Sequence, residues 1–462
     1  MRSTALRWAG ALAVGAILAT VGCSSDPDSS GADGGPAEVD PDAEVTIRVS
    51  HMPSPDQEAQ LENFNRMLED FEDKFPNITV EGDEAIFDAQ TFNAQVAGGT
   101  LPTVMSVPFT EIQALIARGQ VTNITDYIAD DELLGQINPN LIEVVSDADG
   151  DVFGVPVNAY AMALVYNRAL YEQAGLDPDS PPTTWEEIRE NARAISDATG
   201  MSGFAIPTVD NTGGWILTSM AYSNGSRVQE VDGDTVTATL TEPGVVEALE
   251  FLQQVRWEDD AYGENILMNN PDHRQAFGAG QIGQAVQGGD LYQPLVNQWG
   301  MDPEDIGTAP LPESDLGVLG GGGIEIIAPD ATPNEINAAL EWIKHRRLAG
   351  YVEEDRVTEN AEATAADGRA VGWLSIPLMD EELEARRQAW LDPFVNVPYE
   401  HFTAWNEAMQ DITIEPEPAV EAQSLYASLD AAVQGVLSRD DADPAELLEA
   451  AQNDIQGQLD VR

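Results

Sequence analysis

The chain has 462 residues, with 81 acidic against 21 basic side chains and a formal net charge of −60. Such a field repels nucleic acid and anionic lipid surfaces, which excludes both as partners held by charge. A single cysteine, Cys23, excludes an intrachain disulfide and any all-cysteine metal site.

Residues 1–22 read as a targeting segment. Arg2 and Arg7 flank a short positive region, and the apolar run from Trp8 to Val21 is shorter than the ~20 residues that span a bilayer. A lone thiol is ordinarily a small buried hydrophobe. Cys23, however, follows Val21-Gly22 at the end of that segment and precedes a Ser/Asp/Gly stretch, which resembles a lipoprotein processing site. Residues 23–42 are then a lipidated cysteine and a flexible acidic tether, too polar to pack. The remainder is long enough for two domains with cores of their own.

From residue 43 the pattern alternates between strand and helix. Val45, Ile47 and Val49 predict a first strand, and Leu61, Phe64, Met67, Leu68, Phe71 and Phe75 a helix closed by Pro76. Strands over 78–81 and 104–107 and helices over 88–96 and 111–117 follow, which predicts a parallel sheet covered on both faces. In such sheets ligands sit beyond the carboxyl ends of the strands, here residues 51–54, 82–87 and 108–110.

Two apolar pieces, 152–157 and 162–166, flank the polar step Asn158-Ala159-Tyr160. A chain crossing between two domains past a ligand has this pattern, and so does a strand with one exposed turn. Asn167 starts a helix ended by Gly175, and Thr184 with Glu187 forms a capping box. Trp185 is expected to pack the start of that helix. Beyond it come a strand at 203–206, a helix at 213–222, a hairpin at 227–240 turning at 232–234, and an amphipathic helix at 245–257. Residues 271–277 precede a strand at 282–286, Gly320 to Gly323 a strand at 324–328, and 336–348 is a helix. From Glu381 onward the pattern is almost entirely helical, ending in 419–436 and 445–455.

The run GVPVNAYAMALVYNRALYEQAGLD followed by PPTTWEEI resembles the central signature of the extracellular solute-binding proteins of ABC importers, in the sugar-binding family that includes maltose-binding protein. FEDKFPNITVEG, DAQTFNAQVAGGTLPTVMSV, AFGAGQIGQAVQGGDLYQPL, GTAPLP and the glycine run resemble further pieces, in the family's order. The resemblance implies an α/β, two-lobe periplasmic-binding-protein-like fold of the class II type, with a ligand cleft between lobes joined by crossing hinge segments. It implies an amino-terminal lobe of 43–157 plus 308–348 and a second lobe of 163–305 plus 349–462. It further implies a monomer that closes on a small solute and delivers it, unaltered, to ABC transporter permease subunits from the extracellular or periplasmic side of the membrane. No cofactor is required.

Sugars present C–H faces that stack on aromatic rings and hydroxyls that need carboxylates, amides and backbone groups. The aromatic candidates are Phe109, Tyr160, Trp215, Tyr292 and Trp373; those for hydroxyls are Glu111, Asn158, Asp210, Asn211 and Asp290. His51, Pro53, Thr110 and Gly289 share their loops. Gly321 and Gly322 read either as a flexible turn or as a close backbone approach to ligand. The loops 51–54, 106–111, 157–163, 208–217, 286–294 and 318–325 contain no Lys or Arg, which favours a neutral solute, since anions usually meet an arginine fork.

Acidic pairs at helical reach, such as Glu186 with Glu190 and Glu381 with Glu384, fit a solvated surface rather than a glycosidase dyad. The four histidines show no HExxH pattern, and no Lys-Ser/Thr follows the glycine run, so neither a zinc site nor a phosphate loop is expected. Binding of another solute (a polyol, polyamine or peptide) or a secreted carbohydrate-active enzyme are the rival readings. The acidic surface fits a saline habitat or, equally, a GC-rich genome.

Overall fold

Alternation places Ile47 and Val49 fully inside strand β1 (Val45–Val49), as the sequence predicts. The computed structural model describes residues 39–461 apart from 41, 130, 233–234, 313–315, 373–375 and 411. The targeting segment, Cys23 and Trp373 therefore lie outside the described residues.

The main sheet runs β2 (Ile78–Gly82), β1, β3 (Val104–Pro108), β9 (Val318–Ile327), β4 (Val155–Asn167) and β7 (Gln284–Gly288). A short β10 (Ile414–Pro416) pairs with β9, β8 (Ile306–Pro310) pairs with β4, and β5 (Gln229–Asp232) and β6 (Thr235–Ala238) form the expected hairpin. Only part of the sheet is parallel. β1, β2 and β3 run parallel because the helices Glu58–Lys74 and Ala89–Gly98 carry the chain back between them. β9 then enters antiparallel to both β3 and β4, which corrects the all-parallel expectation.

The two pieces expected on either side of Asn158 are one strand of 13 residues. Its first half pairs with β9, from Val155 opposite Glu325 to Ala161 opposite Gly320. Its second half pairs with β7 and β8. Pro156 has no N–H to give the ladder, and the register shifts between Pro156 and Asn158, leaving Asn158 exposed. β4 is thus shared by two half-sheets. The glycine run is likewise strand rather than turn: Gly320 to Gly323 lie within β9, opposite 158–161.

Local signals hold where they involve near neighbours. The Thr184–Glu187 capping box starts Trp185–Thr199, Gly200 ends it at φ 73°, and Trp185 packs edge-on against Phe251 at 5.1 Å. Asn167 caps Arg168–Gln173. Residues 203–206 form no strand: the amides of Gly203 and Phe204 both reach the Ala261 carbonyl, and only Ser202 bridges to Ile282.

The carboxy-terminal helices Ala422–Ser438 and Pro444–Leu459 pack on each other and on Thr212–Ser223 and Pro243–Trp257. β10 interrupts the helical run expected there. Residues 349–391 reach back to early elements, through Lys74 to Glu353 at 2.6 Å, Asn138 N to Leu378 O at 2.9 Å and Asp380 N to Gln136 O at 2.8 Å. Among the described residues no helix is long and apolar enough to cross a membrane.

Candidate functional site

Helices Ala89–Gly98 and Phe109–Ala117 form one wall of a cavity of about 660 Å³, and residues 417–423 form the other. Phe87 and Phe92 supply an aromatic edge, their rings 5.4 Å apart. Thr110, Glu111 and Arg118 face it from the helix, and Glu417, Glu421 and Gln423 from across. Burial pushes the Glu111 carboxyl above its ordinary range, while Arg118 works in the opposite direction.

Glu417 organises the far wall. Its Oε1 accepts a hydrogen bond from the Tyr160 hydroxyl and its Oε2 one from Tyr426, both at 2.9 Å. Tyr160 stands on β4 and Tyr426 on Ala422–Ser438, so one carboxylate ties the shared strand to the helical part. Burial, then the charge of Glu417, drives the Tyr426 phenol well above its usual pKa.

The glycines of β9 let this cluster close. A Cβ on Gly321 would come within 2.9 Å of the Tyr160 ring. One on Gly322 would lie 2.1 Å from the Asn158 carbonyl oxygen and 2.8 Å from the Phe109 ring. Asn158 turns its Oδ1 to accept the Gly323 amide at 3.0 Å. The close approach made by these two glycines is to protein atoms.

Asp210 and Asn211 adopt left-handed φ values of 61° and 67° ahead of Thr212–Ser223. The buried Asp430 carboxylate takes the Asn211 amide at 2.8 Å and the Gly214 amide at 2.7 Å, a carboxylate at a helix N-terminus. Asn211 Nδ2 donates to Gln423 Oε1 at 3.0 Å, which connects this turn to the cavity wall. Trp215 is half-buried in the first turn of that helix.

Of the sequence candidates, then, Thr110 and Glu111 line the cavity, and Tyr160 and Asn211 hold side chains that do. The others fall elsewhere. His51, with φ 62°, and Pro53 lie in the loop after β1, and the His51 ring nitrogen meets Ser50 Oγ at 3.1 Å. Burial lowers the pKa of His51, Arg346 and Arg347 add to that, and Glu325 opposes it. Tyr292 is 1 % exposed and sits edge-on against Phe402 at 5.1 Å, so its ring belongs to the packing. Gly289 makes room for Trp405, whose ring would lie 2.3 Å from an added Cβ. Asp290 lies in the short turn Gly289–Leu291.

Arg118, outside the loops that lack Lys and Arg, adds one basic side chain to the cavity lining. Thr110, Ala114 and Arg118 recur every four residues, so helical periodicity alone places Arg118 on the face of Thr110. Glu417 and Gln423 carry no such signal, because the contacts that place them, with Tyr160 and Asn211, span 257 and 212 residues. None of the four histidines lines the cavity, and no group of three or more metal-ligating side chains gathers among the described residues.

A family model described as bacterial extracellular solute-binding protein matches residues 55–345, well over half of the chain. The chain belongs to that family. A "Probable amino-acid ABC transporter periplasmic-binding protein" of Sinorhizobium fredii is 26% identical to this solute-binding protein over 220 residues, which is 46% of the chain and 49% of the relative. The sn-glycerol-3-phosphate-binding periplasmic protein of Salmonella typhimurium is 25% identical over 185 residues, 37% of the chain and 41% of the relative. The chain thus spans about half the length of the curated relatives it matches. Among solved structures, the cyclic alpha-maltosyl-1,6-maltose binding protein from Arthrobacter globiformis superposes with a TM-score of 0.63 at 21% identity, covering 91% of this chain and all of that one. A Mycobacterium tuberculosis protein in complex with glycerophosphocholine gives 0.63 at 19% identity, covering 90% and 98%. At that identity the likeness is one of fold: two lobes with a mixed α/β sheet.

Proposed function

We propose that this protein is the substrate-binding component of an ABC importer, capturing a neutral mono- or oligosaccharide outside the cell and handing it unchanged to a membrane permease. The observation that carries the reading is the Glu417 carboxylate, which lines the cavity while holding tyrosines from β4 and from the helical part. A solute in the cavity touches a segment fastened to the strand the two half-sheets share, so binding and lobe closure are coupled through differential contacts. Phe87, half-buried and backed by the buried Phe92, offers an apolar face for a ring, and Thr110, Glu111, Glu421 and Gln423 offer partners for hydroxyls. The lobes follow those inferred from sequence, with residues 349–391 bonded instead to the amino-terminal one, and a lipid on Cys23 holds the protein at the membrane.

Arg118 favours a second reading, a phosphate-bearing polyol like the ligand named for the Salmonella relative. A thermal-shift screen of maltose, maltotriose, mannitol, spermidine and glycerol 3-phosphate separates the two, because a ligand raises the melting temperature by mass action. A rise with a sugar that Arg118→Gln leaves intact supports the first reading; a rise with glycerol 3-phosphate that this variant loses supports the second. Replacing Trp215 or Tyr160 by Ala weakens sugar binding in a folded protein, and unchanged affinity in both removes them from the site. Recovery of the oligosaccharide intact after calorimetry excludes the hydrolytic alternative.

A further inference from the structure

A second groove, of about 340 Å³, lies against the helices Glu354–Ala366 and Glu381–Leu391 and shares no lining residue with the cavity above. Arg356 and Arg387 line it, with the amides of Asn360 and Gln293 and the hydroxyl of Thr364. No carboxylate is among its described lining residues, in a chain that carries 81 of them. We propose that this groove is a binding site for a phosphate-like oxyanion.

The two guanidinium groups are poised differently. Arg387 lies over the Tyr351 ring, 5.3 Å from its centroid, a contact that restrains its guanidinium at the groove. Among the described residues it forms no ion pair, so its charge stays available. Arg356 spends one nitrogen on the His345 carbonyl at 3.1 Å. Its carboxylate neighbour Glu353 stands 3.5 Å away and is held more closely by Lys74 at 2.6 Å. Gly350 borders the groove, and a Cβ there would meet Val357 Cγ2 at 3.8 Å and the Arg387 Nε at 4.0 Å, ordinary contacts that leave the guanidinium uncrowded on that side. A chain of net charge −60 repels anions at long range, and an oxyanion is retained only where local donors outnumber carboxylates. A planar fork beside amide donors supplies bidentate geometry for such an ion.

The test is a titration of the full chain with sodium phosphate, read as melting temperature and compared with sodium chloride at matched ionic strength. The chloride arm is essential because screening alone stabilises an acidic protein. Phosphate is expected to give a rise of about 1.5 °C over chloride at ten times its dissociation constant, growing with the logarithm of concentration beyond it. Arg387→Gln and, independently, Asn360→Asp, which puts a carboxylate into the groove, are each expected to abolish that excess. A wild-type rise no larger than that in chloride, or an excess that survives both substitutions, overturns the proposal. Sugar binding at the cavity is untouched by either result.

Discussion

The Tyr160 hydroxyl donates to the Glu417 carboxylate across 2.9 Å, joining β4 to a segment 257 residues later in the chain. Glu417 also lines the cavity, so this bond holds a wall of the site to the shared strand. Glu417→Gln keeps the shape but replaces a charged acceptor by an amide that satisfies only one tyrosine. The expected cost is about 1.4 kcal/mol, or roughly tenfold in sugar affinity by calorimetry. A double-mutant cycle with Tyr160→Phe is expected to show strong coupling; additive losses would mean that the bond contributes nothing to binding.

Gly322 faces backbone and ring at once, with the Asn158 carbonyl 2.1 Å and the Phe109 ring 2.8 Å from an added Cβ. Neither neighbour is the free end of a flexible chain, so relief requires β4 or β9 to move. Gly322→Ala is expected to lose about 1–3 kcal/mol of stability in urea unfolding. Gly150, with nothing within 4 Å but φ 87°, is the control for backbone conformation alone.

The parts of this fold legible in the sequence are those fixed by residues a few positions apart. Thr184 and Glu187 find each other over three residues, and the β5–β6 hairpin closes over its own turn. The β4–β9 pairing, which runs through the strand that carries Tyr160, joins Asn158 to Gly323 across 165 residues, and nothing local specifies it. Hence the glycine run reads as a turn and β4 as two pieces. The site divides the same way. Thr110 and Glu111 follow from a strand end, and Arg118 from the helical period. Glu417 and Gln423 sit in a Pro- and Glu-rich stretch whose place in the fold is set by Tyr160 and Asn211, more than 200 residues earlier.

Asp430 accepts amides at the start of Thr212–Ser223 and stabilises the left-handed turn at Asp210 and Asn211. Removing it leaves buried N–H groups without an acceptor and takes a negative charge from the positive end of the helix dipole. Asp430→Ala is expected to cost about 2 kcal/mol by chemical denaturation and to weaken sugar binding through the Asn211–Gln423 contact. Lost stability with unchanged affinity would separate the cap from the site.

The net charge of −60 makes self-repulsion a large opposing influence on folding. Both lysines of the chain are engaged in ion pairs, Lys74 with Glu353 at 2.6 Å and Lys344 with Asp131 and Glu341 at 2.7 Å each. Raising sodium chloride from ~0.1 M to ~1 M shortens the screening length from about 10 Å to about 3 Å, and the melting temperature is expected to rise. A flat or falling curve would rule out adaptation to salt.

His273 is fully buried, its Nε2 3.0 Å from the Ala205 carbonyl oxygen, and burial lowers its pKa from 6.5 to about 4. Arg274 nearby adds to the shift. Above pH 6.5 the ring is neutral in folded and unfolded chains alike, and folding stability does not depend on it. Between pH 6.5 and 4 the unfolded chain takes up a proton that the folded chain refuses, so stability falls as pH falls, and the contribution of this one group is fully lost below 4. At about 1.4 kcal/mol per pKa unit, the loss across this window approaches about 3 kcal/mol. His273→Gln removes the titrating ring. Urea midpoints at pH 7, 5.5 and 4.5 are therefore expected to drop more steeply in the wild type than in the variant, and parallel slopes would assign the acid sensitivity to the carboxylates instead.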